Sequence, residues 1–365
     1  MLEKGKIDPN EFHVIVIAFT IGTAILHAPS LLAGTANQDA WIASALTLLF
    51  SLFFIYIYNQ LVSLYPFMTF VEMNEKVLGK WIGKITAFLY LFYIFHILGG
   101  GYRGIGDFFT TQVMVETPIE IIIIMFVLTS LIGVRLGLEV ICRSALIFFP
   151  WIMMLLLMLS LLLIPELKFE NIQPIFGEGL KPIMNGLYTN LSLPYLQLAI
   201  LLMITPFVTQ EAKMRKTFYI GTIIGGMTLT ILVMFSILIL GTDTSARQSY
   251  AAYVLGKKIS IGDFLERIEV IVTIIWILTI YFKLTICYYG LSLGLAQVLG
   301  LKSYKILAYP LGILIITFSI FMHSDVVHVS NYITKTLPPY SITICFFLPL
   351  LLLSVGKIRK NISST

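Results

Sequence analysis

Lys283 is a single lysine inside an apolar run of about 264–296. It stands 15 residues after Ile268 and 13 before Ala296. At ~1.5 Å of rise per helical residue, either end is roughly 20 Å away, beyond easy reach of the side chain. An ionisable group at that depth is costly and needs a partner. Three partners are open. The ammonium can face a ligand carboxylate, fill the place of a coupling cation, or bind carbonyls that hold a bundle together. Thr279, Phe282, Cys287 and Tyr289 fall near its helical face.

Two other apolar runs are interrupted by polar residues and proline. Run 12–33 contains Gly22-Thr23-Ala24-Ile25-Leu26-His27-Ala28-Pro29-Ser30, and run 187–208 contains Asn190-Leu191-Ser192-Leu193-Pro194-Tyr195-Leu196-Gln197. Proline removes a backbone donor and crowds the preceding turn. Either interruption alone reads as well as a packing kink. Together they open two sets of five runs, the pattern of an inverted-repeat transporter fold. Unwound backbone in hydrocarbon is tolerated only beside protein or a water-filled cavity. Helix N-termini favour a carboxylate and C-termini an ammonium, so two facing breaks suit a zwitterion such as an amino acid. The candidate ligand-binding residues are Gly22, Thr23, Ala24 and His27 from the first break, and Ser192, Pro194, Tyr195 and Gln197 from the second. Thr279, Phe282 and Lys283 come from the eighth run. His27 reads equally as a structural histidine, and Gln197 as interhelical hydrogen-bonding glue.

Little else offers chemistry. Cys142, Cys287 and Cys345 lack metal or redox spacing, and the five histidines form no ligand pattern. No nucleophile, base and orienting group line up, so no catalytic residue, metal or cofactor is expected, and the chain is not read as an enzyme.

The elements that must position these residues follow from composition. The 365 residues are 58% hydrophobic and 12% charged, with a mean hydropathy of +0.94. Soluble domains carry about 25% charged residues. Half of that cannot cover a soluble globule, and disorder is excluded by the aliphatic content. The expected fold class is an all-α polytopic membrane protein, because the runs are long and unbroken where barrel strands would alternate. Ten transmembrane helices are expected, at 12–33, 40–62, 82–101, 118–134, 143–164, 187–208, 217–241, about 264–296, 304–322 and 337–356. They form one transmembrane domain in a 5+5 inverted repeat with helices 1 and 6 discontinuous. Repeat one spans about 8–164, an outer loop 165–186, repeat two about 187–356, and a cytoplasmic tail 357–365. Lys4 and Lys6 precede a first run without a small-residue cleavage site, which reads as a retained helix.

With the N-terminus inside, 15 Lys and Arg fall on inner segments and 7 on outer ones, which favours both termini on the cytoplasmic side. These basic clusters explain the net charge of +5 by topology, so no nucleic-acid partner is expected; membrane lipid is. Gly99-Gly100-Gly101 implies close packing or motion at the outer end of the third run, with Arg103 and Asp107 paired at i, i+4. Glu266, Arg267 and Glu269 read as a structural cluster at the start of the eighth run. Segment 64–80 reads as an inner amphipathic stretch that touches partner chains.

Gly22-Thr23-Ala24-Ile25 resembles the Gly-x-Gly-Ile signature of the amino acid–polyamine–organocation transporter superfamily. Leu191 to Gln197 resembles its sixth-helix motif, with Gln197 in place of the acid, a departure that puts ordinary proton coupling in doubt. A narrower resemblance covers nearly the whole chain. Leu78-Gly79-Lys80-Trp81-Ile82-Gly83, Asn171 to Gly179 with Pro182-Ile183, and Glu266-Arg267-Ile268-Glu269 with Trp276 are similar to the B-subunit family of spore germinant receptors. The resemblance implies a permease-like, nutrient-sensing subunit in the inner membrane of the bacterial endospore. It also implies A-type and C-type partner subunits and a small nutrient ligand, an amino acid by the chemistry of the breaks, held between helices 1, 3, 6 and 8. The alternatives are a secondary active transporter of amino acids or related solutes, and an ion-conducting scaffold.

Overall fold

The computed structural model describes residues 3, 5–258, 268–323 and 325–364. The first helix, α1 (Pro9–Ile21), starts where such a segment should. Asp8 caps it in a reciprocal box with Glu11, and Pro9 takes the first turn, where its missing N–H costs nothing. The helix ends at Gly22, and α2 (Ala24–Ala36) begins beyond Thr23. The first expected span is therefore two 13-residue helices. Pro29 lies inside α2, so the break belongs to Gly22-Thr23 and not to the proline.

A polar turn at Asn37–Asp39 leads into α3 (Ala40–Leu64). Then follow α4 (Phe70–Leu78), α5 (Lys80–Phe108), α6 (Ile119–Leu136) and α7 (Leu138–Leu163). The stretch at 64–80 is amphipathic as expected, but α4 buries Phe70, Val71, Met73 and Val77 within this chain, packed on α5. The second half opens with α8 (Leu180–Asn190), seven residues ahead of the expected 187. After Asn190 the chain stays helical but changes pitch: a wide π turn over Leu191–Tyr195, then a tight 3₁₀ helix over Leu196–Met203. Next come α9 (Glu211–Leu240), α10 (Thr242–Arg247), α11 (Ala251–Lys258), α12 (Glu269–Leu299) and α13 (Lys305–Phe321). The last stretch is a chain of short pieces, α14 (Val326–Asn331), α15 (Leu337–Ile342) and α16 (Leu348–Ser364), joined by π turns. Of the expected cluster before α12, Glu266 and Arg267 lie outside the described residues.

Among the described residues, eight helical stretches are long and apolar enough to cross a bilayer, and Pro9–Ile21 and Lys305–Phe321 are shorter apolar helices. This is an integral multi-pass membrane protein. The count falls from ten to eight for two reasons: α2 runs on through Asn37–Asp39 into α3 as one stretch while α1 is too short to count, and Lys305–Phe321, the ninth expected span, is also too short.

At the bundle centre α1 packs on α7, α9 and α12. Small residues let α9 approach: a Cβ on Gly221 would meet Val16 at 2.9 Å, and one on Gly225 would meet Thr20 at 2.8 Å. Beyond the end of α2, the Asp39 carboxylate accepts the Phe176 N–H at 3.1 and 3.0 Å. Asn37 donates to Glu178 at 2.7 Å and Gln38 to the Pro174 carbonyl at 3.0 Å. The loop before α8 is thus clasped to the end of α2.

Candidate functional site

Lys283 on α12 is fully buried. Its Nζ donates to Thr23 Oγ1 at 2.7 Å and to the Leu193 carbonyl at 3.4 Å, and it lies 5.0 Å from the centre of the Phe19 ring. One ammonium therefore touches both breaks. Its aliphatic stem rests on Gly22, where a built Cβ would stand 2.7 Å from Lys283 Cδ and 3.2 Å from its Cβ. Gly22 is the residue that lets the lysine pass.

The second break is a matter of carbonyl accounting. Pro194 has no N–H to give, and the Ser192 hydroxyl donates to the Thr189 carbonyl at 2.8 Å. The wide turn closes with Leu196 N–H on the Leu191 carbonyl. The tight helix that follows reaches back only three residues. Passing from one ladder to the other skips the carbonyls of Ser192 and Leu193. Gln197 Nε2 takes the first at 3.0 Å and Lys283 the second. Farther along, Tyr58 of α3 reaches the Leu196 carbonyl at 3.4 Å, and Tyr90 of α5 donates to that of Ala199 at 3.1 Å. Side chains of three other helices hold a segment buried at every residue from Leu191 to Thr205. Three buried polar atoms here, Asn190 Oδ1, the Tyr195 hydroxyl and Gln197 Oε1, have no hydrogen-bond partner among the described residues.

The structure thus gathers Gly22, Thr23 and Lys283, with Ser192, Pro194 and Gln197 shaping the facing turn. Other candidates point elsewhere. The Thr279 hydroxyl donates into its own helix, to the Ile275 and Trp276 carbonyls. Phe282 faces α7, its ring 6.3 Å from that of Phe148. The Tyr195 hydroxyl lies against Gly226 of α9. Ala24 is buried in the first turn of α2. His27 sits one turn farther along α2, 5.7 Å ring to ring from Tyr250, on a separate cavity of ≈ 440 Å³. Arg103 and Asp107 pair at 2.9 Å as expected, and Gly99 and Gly101 admit Phe318 and Leu284. Phe19 and the Leu193 carbonyl were not foreseen. A backbone acceptor has no residue-type signature, although an aromatic ring one turn before Gly22 is a cue for a cation.

Near the N-terminus the Glu3 carboxylate accepts from Tyr304 at 2.9 Å and Tyr289 at 3.2 Å.

The chain matches the family described as spore germination protein over residues 6–327. It belongs to that family. Spore germination protein KB of Bacillus subtilis (strain 168) is 28% identical over 323 residues, covering 87% of this chain and 86% of that one. Spore germination protein A2 of the same organism is 25% identical over 358 residues, covering 96% and 95%. Among solved structures, Mhp1, a nucleobase-cation-symport-1 family transporter in a closed conformation with bromovinylhydantoin bound, has a TM-score of 0.73 at 11% identity, covering 96% of this chain and 78% of that one. MhsT in complex with L-phenylalanine has a TM-score of 0.72 at 13% identity, covering 97% and 99%. The likeness establishes the fold class as the transporter-like, all-α inverted-repeat architecture with discontinuous helices.

Proposed function

We propose that this spore germination family member is the nutrient-sensing B subunit of a germinant receptor, a binding subunit and not an enzyme. In this reading it sits in the inner membrane of the endospore, both termini on the core side, with A-type and C-type subunits as partners. A small nutrient, best an amino acid, acts where the two breaks meet. The observation that carries the reading is Lys283, whose single ammonium ties Thr23 to the Leu193 carbonyl. A ligand carboxylate competes for that ammonium. Once Lys283 leaves Leu193, the segment from Leu191 onward loses a support and shifts its packing against α3 and α5. The unpaired oxygens of Gln197 and Asn190 offer acceptors to a ligand ammonium. A ligand shifts the bundle only by its differential affinity for the two arrangements, and a carboxylate trapped by Lys283 supplies one.

The test is the germination of spores carrying Lys283→Met or Gly22→Leu across a panel of L-amino acids, with the chain's level in the membrane measured in parallel. Loss of response at normal level supports the reading; an unchanged dose–response curve for both variants overturns it. A second reading, secondary active transport, is favoured by the likeness to Mhp1 and MhsT. Concentrative uptake of a labelled amino acid into proteoliposomes holding this chain alone would establish it in place of the first.

A further inference from the structure

The cavity of ≈ 440 Å³ between α2, α5, the α10–α11 connection and α14 lies outside the meeting point of the breaks. Its volume falls inside the ~300–1,000 Å³ range of small-molecule sites. Two opposite charges line it. Asp107 is buried; Arg103 occupies its Oδ1, and its other oxygen takes no hydrogen bond among the described residues. Arg247, at the end of α10, is exposed and forms no ion pair among the described residues. The rest of the lining mixes apolar Leu31, Val329, Ile333 and the ring of Tyr250 with polar Ser30 and Thr334. The position of Tyr250 is fixed by the Phe108 ring 5.1 Å away, and the adjoining Ala251 N–H donates to Ser30 at 3.2 Å.

We propose that this cavity is a binding station for an apolar α-amino acid. Asp107 accepts the α-ammonium, Arg247 pairs with the α-carboxylate, and the side chain lies on Leu31, Val329 and Ile333. The arrangement deepens the nutrient-sensing reading and rests on it, since it supplies the station from which a solute passes His27 towards the breaks. Charge pairs of this kind give specificity through the partner left unpaired when a wrong ligand enters.

Three probes separate the contacts. Equilibrium binding to the full chain in lipid nanodiscs uses L-leucine, 4-methylpentanoate, which lacks the amine, and 3-methylbutylamine, which lacks the carboxylate. Arg247→Ala is expected to weaken L-leucine and 4-methylpentanoate about tenfold, as for loss of one charge-assisted contact, and to leave 3-methylbutylamine unmoved. Asp107→Asn is expected to weaken L-leucine and 3-methylbutylamine and to spare the acid. Thermal melting of each variant shows that the bundle is intact, and Arg247, being exposed, remains informative if Asp107→Asn does not fold. Unchanged L-leucine binding in Arg247→Ala overturns the cavity site. If Gly22→Leu alone abolishes binding, the nutrient-sensing reading survives with its ligand at the breaks. No saturable binding of any probe overturns the cavity site, while the germination assay judges the sensing role separately.

Discussion

The two interrupted helices carry similar residues and break in different ways. At Gly22-Thr23 the hydrogen-bonded ladder stops and restarts, so α1 and α2 are separate rods. At Leu191–Met203 it never stops; it widens at Pro194 and then tightens. The first break is made by a small residue that admits a neighbour's side chain, the second by a missing donor. Proline decides only the second, since Pro29 sits inside an unbroken α2. The first break thus depends on space and the second on hydrogen bonds, and Lys283 is the group common to both.

The largest effect should come from Lys283 itself. Lys283→Met keeps the length, removes the ammonium and uncouples the breaks. The germination response is expected to fall about 100-fold or more, while the melting temperature holds or rises, because replacing a buried charge by an apolar side chain is often neutral or stabilising. A steep fall in membrane level together with melting temperature would mean that the lysine only holds the bundle. Next is the space-dependent break. Gly22→Ala places a Cβ 2.7 Å from Lys283 Cδ, and overpacking of this kind costs ~1–3 kcal/mol. By thermal melting, Gly22→Ala should cost much less in a Lys283→Ala background, which has no Cδ to meet the new methyl, and additive losses would refute the contact.

The hydrogen-bond-dependent break responds to Gln197→Leu. It strips the donor from the Ser192 carbonyl, at an expected ~1–3 kcal/mol for a buried acceptor left unmade, partly offset by removing the unpaired Oε1. Melting in detergent reads it, and the same substitution should leave the Lys283–Thr23 contact in place. The smallest effect lies outside both breaks. His323, in the turn before α14, is lowered from its ordinary value to about 4, by burial first and then by His328, Arg103 and His96. A histidine held neutral by folding lends stability that is present above about 6.5 and lost as pH falls through about 4. His323→Gln should flatten the melting temperature between pH 6.5 and 4, and an unchanged slope would assign the acid sensitivity elsewhere.

Much of this was legible in the sequence. Composition fixed the class, and the depth of Lys283 marked it for a partner before any partner was known. Gly22 and Pro194 were visible as interruptions, but not how each interrupts. Whether a proline kinks, widens or merely rides a helix depends on who accepts and donates around it, and here those groups are Ser192 and Gln197 beside it and Tyr58 and Tyr90 from distant parts of the chain. Thr279 and Phe282 share a helical face with Lys283 on paper, yet a hydroxyl can satisfy itself one turn back and a ring follows the nearest apolar wall. Backbone acceptors such as the Leu193 carbonyl leave no trace in residue type.

The hold of Asn37, Gln38 and Asp39 on the loop between Pro174 and Glu178 has a mechanical consequence. It yokes α2, the rod beyond the first break, to the strap of chain that feeds α8 and the second. If α2 swings, it pulls on that strap, so a displacement at the first break is delivered to the second along the loop, independently of the lysine at the middle. The bundle then has two linkages in parallel, one of charge and one of tension, and severing either should leave the other able to carry part of the motion.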